Sequence, residues 1–453
     1  MTLLSYVLAF LVAIGVLVAV HEYGHFWMAR RVGIRVLRFS IGFGKTLWSR
    51  RGADGTEYAL SAIPLGGYVK LLDEREGPVD PAEVSAAYNR KPVWQRILVL
   101  VAGPLANFLF AVAAYWVLFV AGVPALKPVL GEIRPDSMAE RAGLQAGDEI
   151  VRVGSRPIVT REGAVLAILD QLMQGGSIEL GVRSEQGVVR ATALRIEGDA
   201  RRLTEPGALL PGLGFDFWYP AVPARVGKVL PGSPAERAGL REGDEIVAVD
   251  GRAVADFPAL VHEVQPNAGR TLEFGFRRAG EQRQVAVEVE GQREGERLVG
   301  RIGVQPAAVD EIPAGMRTLE RYGPLRALAR ASDKAWDMSA LTVRMLWNVA
   351  TGDVSVKNLS GPINIAEYAG FSARQGVLAF LSFLAIVSVS LFVLNLLPIP
   401  ILDGGQIVFQ VAELAKGSPL SERAQAVGQQ VGLLLLLVLM SFAFYNDLSR
   451  LFS

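Results

Sequence analysis

Four stretches of the chain are too long and too apolar for the core of a water-soluble domain. Leu3–Val20, Ile97–Val123, Leu378–Leu397 and Val427–Tyr445 contain no Asp, Glu, Lys or Arg. About 20 apolar residues in a helix cross the hydrocarbon layer of a bilayer, and a helix satisfies its own backbone there. The expected fold is a multi-pass α-helical membrane protein with four transmembrane helices, at 1–29, 97–123, 378–397 and 427–445. The first run does not read as a cleaved signal peptide. Met1-Thr2 supplies no basic residue, no Ala-x-Ala ends the run, and apolar residues continue through Phe26, Trp27, Met28 and Ala29.

Short-loop Lys and Arg counts set the orientation. Residues 30–96 carry twelve, crowded toward the two spans, which places that loop in the cytoplasm. The long 124–377 segment and both termini are then expected outside. The loop at 403–426, with Lys416 and Arg423, returns inside. Composition adds exclusions. Lys plus Arg total 46 and Asp plus Glu 45, which argues against a chain built to bind nucleic acid. There is no cysteine, so thiolate chemistry and Cys-ligated metal are excluded. Only His21, His25 and His262 can supply imidazole.

The polar middle contains a duplication. GEIRPDSMAERAGLQAGDEIVRVGSRPI from Gly131 and GKVLPGSPAERAGLREGDEIVAVDGRAV from Gly227 align without a gap. Each reads as a strand, a Pro-containing turn, a helical turn closed by Gly143 or Gly239, a Gly-Asp turn and a second strand. In the second copy a helix is expected at Phe257–Val264, with His262 on its surface or groove. Strands should follow near Thr271–Phe276 and Gln284–Val289. The string PGSPAERAGLREGDEIVAVDG resembles the circularly permuted PDZ domains of bacterial membrane and periplasmic proteases. The resemblance implies two inserted PDZ domains, at 127–218 and 221–308. Their peptide-groove candidates are Gly214 and Phe215 in the first, and Gly303 and Val304 in the second. Two uses remain open: capture of peptide or protein tails by strand addition, or steric exclusion with no bound peptide.

His21-Glu22-Tyr23-Gly24-His25 is H-E-x-x-H at the end of the first apolar run. On a helix, positions i and i+4 share a face, so both imidazoles can meet one Zn²⁺. Glu22 can reach the attacking water without being a ligand. Ionisable residues beside a continuous apolar run are costly, and that placement favours function over decoration. A catalytic zinc usually has three protein ligands. With no other histidine nearby, the third must be Asp, Glu or Asn. Pro398 and Pro400 break the third run, and Asp403 follows at the same expected depth as the histidines.

This combination resembles the site-2 proteases, intramembrane zinc metalloproteases of peptidase family M50B. NLLPIPILDG, ending in the LDG motif at 402–404, matches the family's N-x-x-P-x-P-x-L-D-G element, and Gly103–Asn107 matches its GPxxN. The resemblance implies His21, His25 and Asp403 as ligands of one Zn²⁺ per chain, with Glu22 as catalytic base. Asn395, Asn107, Gly66 and Gly67 are the implied substrate-positioning candidates. Within 30–96, a membrane-associated β-hairpin region would receive unwound substrate. The 310–376 segment would supply an amphipathic helix near the outer membrane face and a connector, GDVSVKNLSGPINIAE. The implied activity is that of a metalloendopeptidase cutting within transmembrane segments in regulated intramembrane proteolysis. Implied partners are single-pass membrane proteins, above all a pre-cleaved anti-sigma factor of an envelope-stress response, with remnant signal peptides as a second set, and the lipid bilayer. No nucleic acid is expected. The implied location is the bacterial inner membrane, with PDZ domains and termini periplasmic and the site near the cytoplasmic face. A non-proteolytic PDZ membrane scaffold is the rival. A zincin with a downstream glutamate ligand would lack the distal LDG.

Overall fold

The computed structural model describes residues 2–198, 200–205, 207–220, 222–294, 297–307, 312–354, 361–418 and 420–452. The first apolar run forms α1, Thr2–Arg31, one continuous helix that carries His21, Glu22 and His25 in its C-terminal third. It leads into two long strands, β1 (Val36–Arg51) and β2 (Glu57–Leu71). Their ladder is heavily bulged, and Ile41 lies opposite both Gly67 and Leu60. Phe43, Leu47, Trp48, Leu60 and Ile63 on these strands are exposed. So many large apolar side chains facing outward suit lipid better than water.

The second run lies within α2, Val93–Ala121, which begins directly after Pro92 and includes Arg96. Helices α1 and α2 cross closely at Gly24. A Cβ there would overlap the Ala102 carbonyl oxygen, so only glycine permits this approach. Beyond α2 the chain forms β3 (Val123–Leu126), enters the duplicated region, and returns much later as β18.

The two copies fold alike. In the first, β4 (Leu130–Ile133) precedes the short helix α3 (Met138–Arg141). Strands β5 (Glu149–Val153) and β6 (Arg156–Pro157) lead to α4 (Arg161–Gln174). Strands β7 (Ser177–Arg183) and β8 (Val189–Arg195) complete a sheet of order β6-β5-β7-β8. Two small helices, α5 (Ala200–Leu203) and α6 (Leu209–Leu213), precede β9 (Phe215–Phe217), which pairs with β4. The second copy has β10 (Val226–Val229), α7 (Pro234–Arg237), β11 (Glu245–Val249), β12 (Arg252–Ala253) and α8 (Phe257–Val264). Strands β13 (Thr271–Arg278) and β14 (Glu281–Glu288) follow, then a hairpin of β15 (Glu290–Glu294) and β16 (Arg297–Arg301). Its closing strand β17 (Val304–Pro306) pairs with β10. The β5 and β11 ladders carry their irregularity at equivalent places, after Ile150 and after Ile246. Each copy owns a core, built around Ile150, Ile168 and Phe215 in one and Ile246, Leu260 and Phe274 in the other.

The repeated Gly-Asp turn has a cause beyond turn geometry. Asp148 and Asp244 are both buried, and each accepts from a backbone N–H three residues earlier and pairs with an arginine, Arg190 or Arg278. Burial alone pushes the Asp244 carboxyl up. Hydrogen bonds from Arg278 and from the Arg241 N–H reverse that and hold it below the ordinary carboxylate value.

Strand β18 (Arg317–Glu320) pairs antiparallel with β3, Val123 opposite Glu320 and Leu126 opposite Arg317. The duplicated region therefore leaves and re-enters through a two-stranded stem at the C-terminal end of α2. Next comes α9, Pro324–Thr351. This helix lies within the segment where an amphipathic helix is expected, and its buried seam is made of small residues. Ala327, Ala331 and Ala335 are fully buried, in a cluster with Ala111, Tyr115 and Phe119 of α2, while Leu325, Trp336 and Trp347 are exposed. The opposite side of α9 meets the first repeat through Arg156–Asp337 at 3.3 Å and Arg344–Asp170 at 2.9 Å. Of the connector GDVSVKNLSGPINIAE, positions 355–360 lie outside the described residues.

Helix α10 (Pro362–Gln375) packs against α1. Its N-terminus is capped from the last helix: the backbone N–H groups of Gly361, Ile363 and Asn364 donate to the buried carboxylate of Asp447. Helix α11 (Val377–Asn395) is the third span. It ends two residues earlier than expected, because Leu396 and Leu397 turn ahead of Pro398. Asp403 opens α12, Asp403–Lys416. The fourth run lies inside a longer helix, α13, Glu422–Phe452. Among the described residues, four helices are long and apolar enough to cross a membrane: α1, α2, α11 and α13.

Candidate metal centre

The site forms where α1, α2 and the start of α12 meet. His21 Nε2 lies 3.1 Å from His25 Nε2 and 3.2 Å from Asp403 Oδ2, and His25 Nε2 lies 3.5 Å from Asp403 Oδ1. Ligands about 2 Å from a tetrahedral ion sit about 3.3 Å apart, so these three donors have the spacing of a metal's coordination edge. Among the described residues this is the one group of three or more His, Asp or Glu side chains able to hold an ion.

Tautomers decide whether the imidazoles can serve. His25 Nδ1 lies 2.8 Å from the Val99 carbonyl oxygen. A carbonyl only accepts, so Nδ1 carries the proton and Nε2 presents its lone pair to the site. His21 Nδ1 faces the amide of the fully buried Asn107 at 3.3 Å. With the amide NH₂ toward His21, Asn107 Oδ1 is left buried without a partner. The opposite amide orientation satisfies that oxygen with a proton from His21 Nδ1 and frees His21 Nε2. Both rings then offer Nε2 toward Asp403, and the residues present fit a zinc ion.

Asp403 completes the donor set with a carboxylate, which binds a metal in its ionised form. Its neighbours have no room for side chains. A Cβ on Gly404 would overlap the Leu396 and Leu397 carbonyls, and one on Gly405 the Ile399 carbonyl. On α2, a Cβ on Gly103 would overlap the His25 ring.

Glu22 is half-buried, stands outside the donor cluster and makes no side-chain hydrogen bond among the described residues. Strand β2 passes over it at Gly67, where a Cβ would lie 3.0 Å from Glu22 Cγ and 2.8 Å from Val18 Cγ1. Gly66 has φ +140° and faces the Phe43 ring. Gly67 thus lays the β2 backbone directly beside the expected base, and Gly66 makes room for the Phe43 ring. Asn395, at the end of α11, keeps an accessible amide with no side-chain partner among the described residues. Asn107 differs from its expected role, since it is buried behind His21 and holds the ring rather than facing outward. Gly214 and Gly303 have φ of +93° and +76° and abut Ser137 and Ser233, the side-chain caps of α3 and α7. Phe215 is fully buried in its core. Val304 lines an open groove with Leu230, Phe257 and Val261.

Sequence reasoning missed the Val99 carbonyl, because a backbone acceptor leaves no trace in residue type. It also missed the Arg96–Glu413 pair, whose members are 317 residues apart.

A His-Glu-x-x-His helix meeting an aspartate among membrane-spanning helices defines a membrane-embedded metallopeptidase. The chain matches the family model "Peptidase family M50" over residues 9–439 and belongs to that family, the intramembrane zinc metalloproteases that act in regulated intramembrane proteolysis. It is 42% identical over 458 residues to "Protease RseP" of Yersinia pestis, covering 100% of both chains. It is 41% identical over 446 residues to "Regulator of sigma-E protease RseP" of Escherichia coli (strain K12), covering 98% of each. Among solved structures, the PDZ domain of an SdrC-like protein from Listeria monocytogenes covers 20% of this chain and 92% of its own length. That match has 20% sequence identity and a TM-score of 0.16.

Proposed function

We propose that His21, His25 and Asp403 hold one Zn²⁺ and that Glu22 is the general base for hydrolysis of a peptide bond inside a transmembrane segment. When bound, zinc acts as a Lewis acid that polarises a carbonyl and acidifies water. Glu22 accepts the proton of the attacking water and delivers it to the leaving nitrogen. Asn395 and the β2 backbone at Gly66–Gly67 hold the unwound substrate in extended form, which a helical substrate must adopt before its carbonyls are accessible. The convergence of three metal donors, with His25 Nε2 freed by the Val99 carbonyl, carries this reading. Purified protein should contain about one zinc per chain. Removing it with a chelator should stop cleavage of a single-pass membrane substrate, and zinc should restore it. Full cleavage by zinc-free protein would refute the assignment.

The substrate class we assign is a single-pass anti-sigma factor already trimmed outside, supported by relatives named as regulators of sigma-E protease. The basic 30–96 loop supports a cytoplasmic site and periplasmic termini and repeats. The two repeats act as permuted PDZ domains at 127–218 and 221–308, in tandem above the outer end of α2, where bulky ectodomains clash and trimmed stubs pass. Gly214→Asp or Gly303→Asp, each strained by positive φ and by the abutting serine, should raise cleavage of the untrimmed form relative to the stub, while stub cleavage persists. The measurement is the ratio of the two rates on one substrate. Loss of stub cleavage at an unchanged ratio would instead give the repeats a direct part in catalysis.

A further inference from the structure

Asp403 reaches the site from a helix that buries few of its own side chains. It is the first residue of α12, after a loop interrupted by Pro398 and Pro400, and Val408, Val411 and Leu414 of that helix are exposed. The buried side of α12 is Gly404, Gly405 and Gln410, followed by an ion pair with α2. Arg96 Nη1 donates to Glu413 Oε2 at 3.1 Å and Nη2 to Oε1 at 2.6 Å. The two side chains are only 7% and 15% exposed. A two-pronged contact fixes the rotation of a helix as well as its distance. Glu413 lies about 15 Å along α12 from Asp403 at 1.5 Å per residue, so this contact fixes the distal part of the helix that presents the ligand.

Helix α2 is the common reference. Arg96, Val99, Gly103 and Asn107 follow the i, i+3, i+7, i+11 spacing of one helix face. Val99 orients His25, Gly103 makes room for its ring, and Asn107 orients His21. Arg96 extends the same face to the helix bearing the third donor. We infer that Arg96 and Glu413 are a positioning pair that sets Asp403 against the two histidines and thereby tunes metal affinity. This inference rests on the reading of those three residues as the ligand set. The pair touches neither substrate nor ion.

The test uses the purified full chain, with zinc affinity measured by chelator competition and folding by thermal unfolding. Glu413→Gln keeps shape and loses charge, and Arg96→Lys keeps charge and loses the fork. Each should weaken zinc retention about 10- to 100-fold, the range for groups that orient metal ligands. The unfolding midpoint should fall for Glu413→Gln, which leaves Arg96 buried and unpaired, and stay near wild type for Arg96→Lys; in both, kcat should fall with KM little changed. The double variant Arg96→Met/Glu413→Leu leaves no uncompensated buried charge and refills the space. It should fold at least as well as the singles and recover part of the zinc affinity. Asp403→Asn is the control. If it binds zinc like wild type, the ligand assignment itself fails. If it loses zinc while Glu413→Gln and Arg96→Lys keep wild-type affinity, the positioning inference is overturned. Zinc loss that merely tracks a lowered unfolding midpoint, with no recovery in the double variant, overturns it too.

Discussion

Glu22→Gln should bring cleavage of a transmembrane substrate down by about 10²- to 10⁴-fold, the usual contribution of a positioned general base. Zinc content should stay near one per chain. The amide has the shape of the carboxylate but cannot take a proton. Glu22 stands outside the three-donor cluster, so its charge is not needed to hold the ion. Its surroundings also predict an intact fold. The side chain has no hydrogen-bond partner among the described residues to lose, and glutamine fits the gap beneath Gly67. Single-turnover cleavage and metal analysis on the same preparation separate the two claims. Near-wild-type hydrolysis would remove Glu22 from the chemistry. Loss of zinc along with activity would make it a ligand.

A single methyl group should be nearly as damaging. Gly103→Ala places a Cβ within the van der Waals shell of the His25 ring, against Nε2 and Cε1. The ring cannot retreat without breaking its hydrogen bond to Val99, and the α2 backbone is fixed by its close crossing with α1 at Gly24. His25 Nε2 is therefore displaced, and zinc affinity should drop at least about tenfold, the scale on which displaced metal ligands respond. Cleavage should be lost with it. Gly15→Ala is the matched control, because nothing lies within 4 Å of a Cβ there, and both zinc and cleavage should be unchanged. Wild-type zinc affinity in Gly103→Ala would mean that the ring position is not set by α2.

What the sequence made legible follows the range of each signal. The spans were legible because membrane crossing is a property of one contiguous segment. Their ends were less so: α2 starts at Val93 rather than Ile97, because Arg96 interrupts the apolar run while its charge is matched by Glu413 in a distant segment. The H-E-x-x-H pair is local, and helical periodicity alone puts both rings on one side. The approach of Asp403 depended on two distant helix ends, and hydropathy only set their common depth. Gly103 and Gly67 were legible only through motif resemblance, which does not say what their missing Cβ makes room for, and the Val99 carbonyl was hidden altogether. In α9 the alanines at 327, 331 and 335 carry little hydropathy signal beside Leu325, Trp336 and Trp347, yet the alanines form the buried seam and the large residues face outward. The 290–301 hairpin and the small helices at 200–213 were also missed. They distinguish the two copies, and a repeat shows only what its copies share.

The stem of β3 and β18 bears on how such a chain could have been assembled. Paired strands run about 4.8 Å apart, so the polypeptide leaves the membrane core and comes back at nearly the same point, Val123 beside Glu320. Whatever is carried between those strands imposes no demand for reach on the helices below. A module could enter there by gene insertion, and then be copied in tandem, with the end-to-end separation of the excursion unchanged at each event. The metal-bearing helices, pinned to one another through α2, would have kept their geometry throughout.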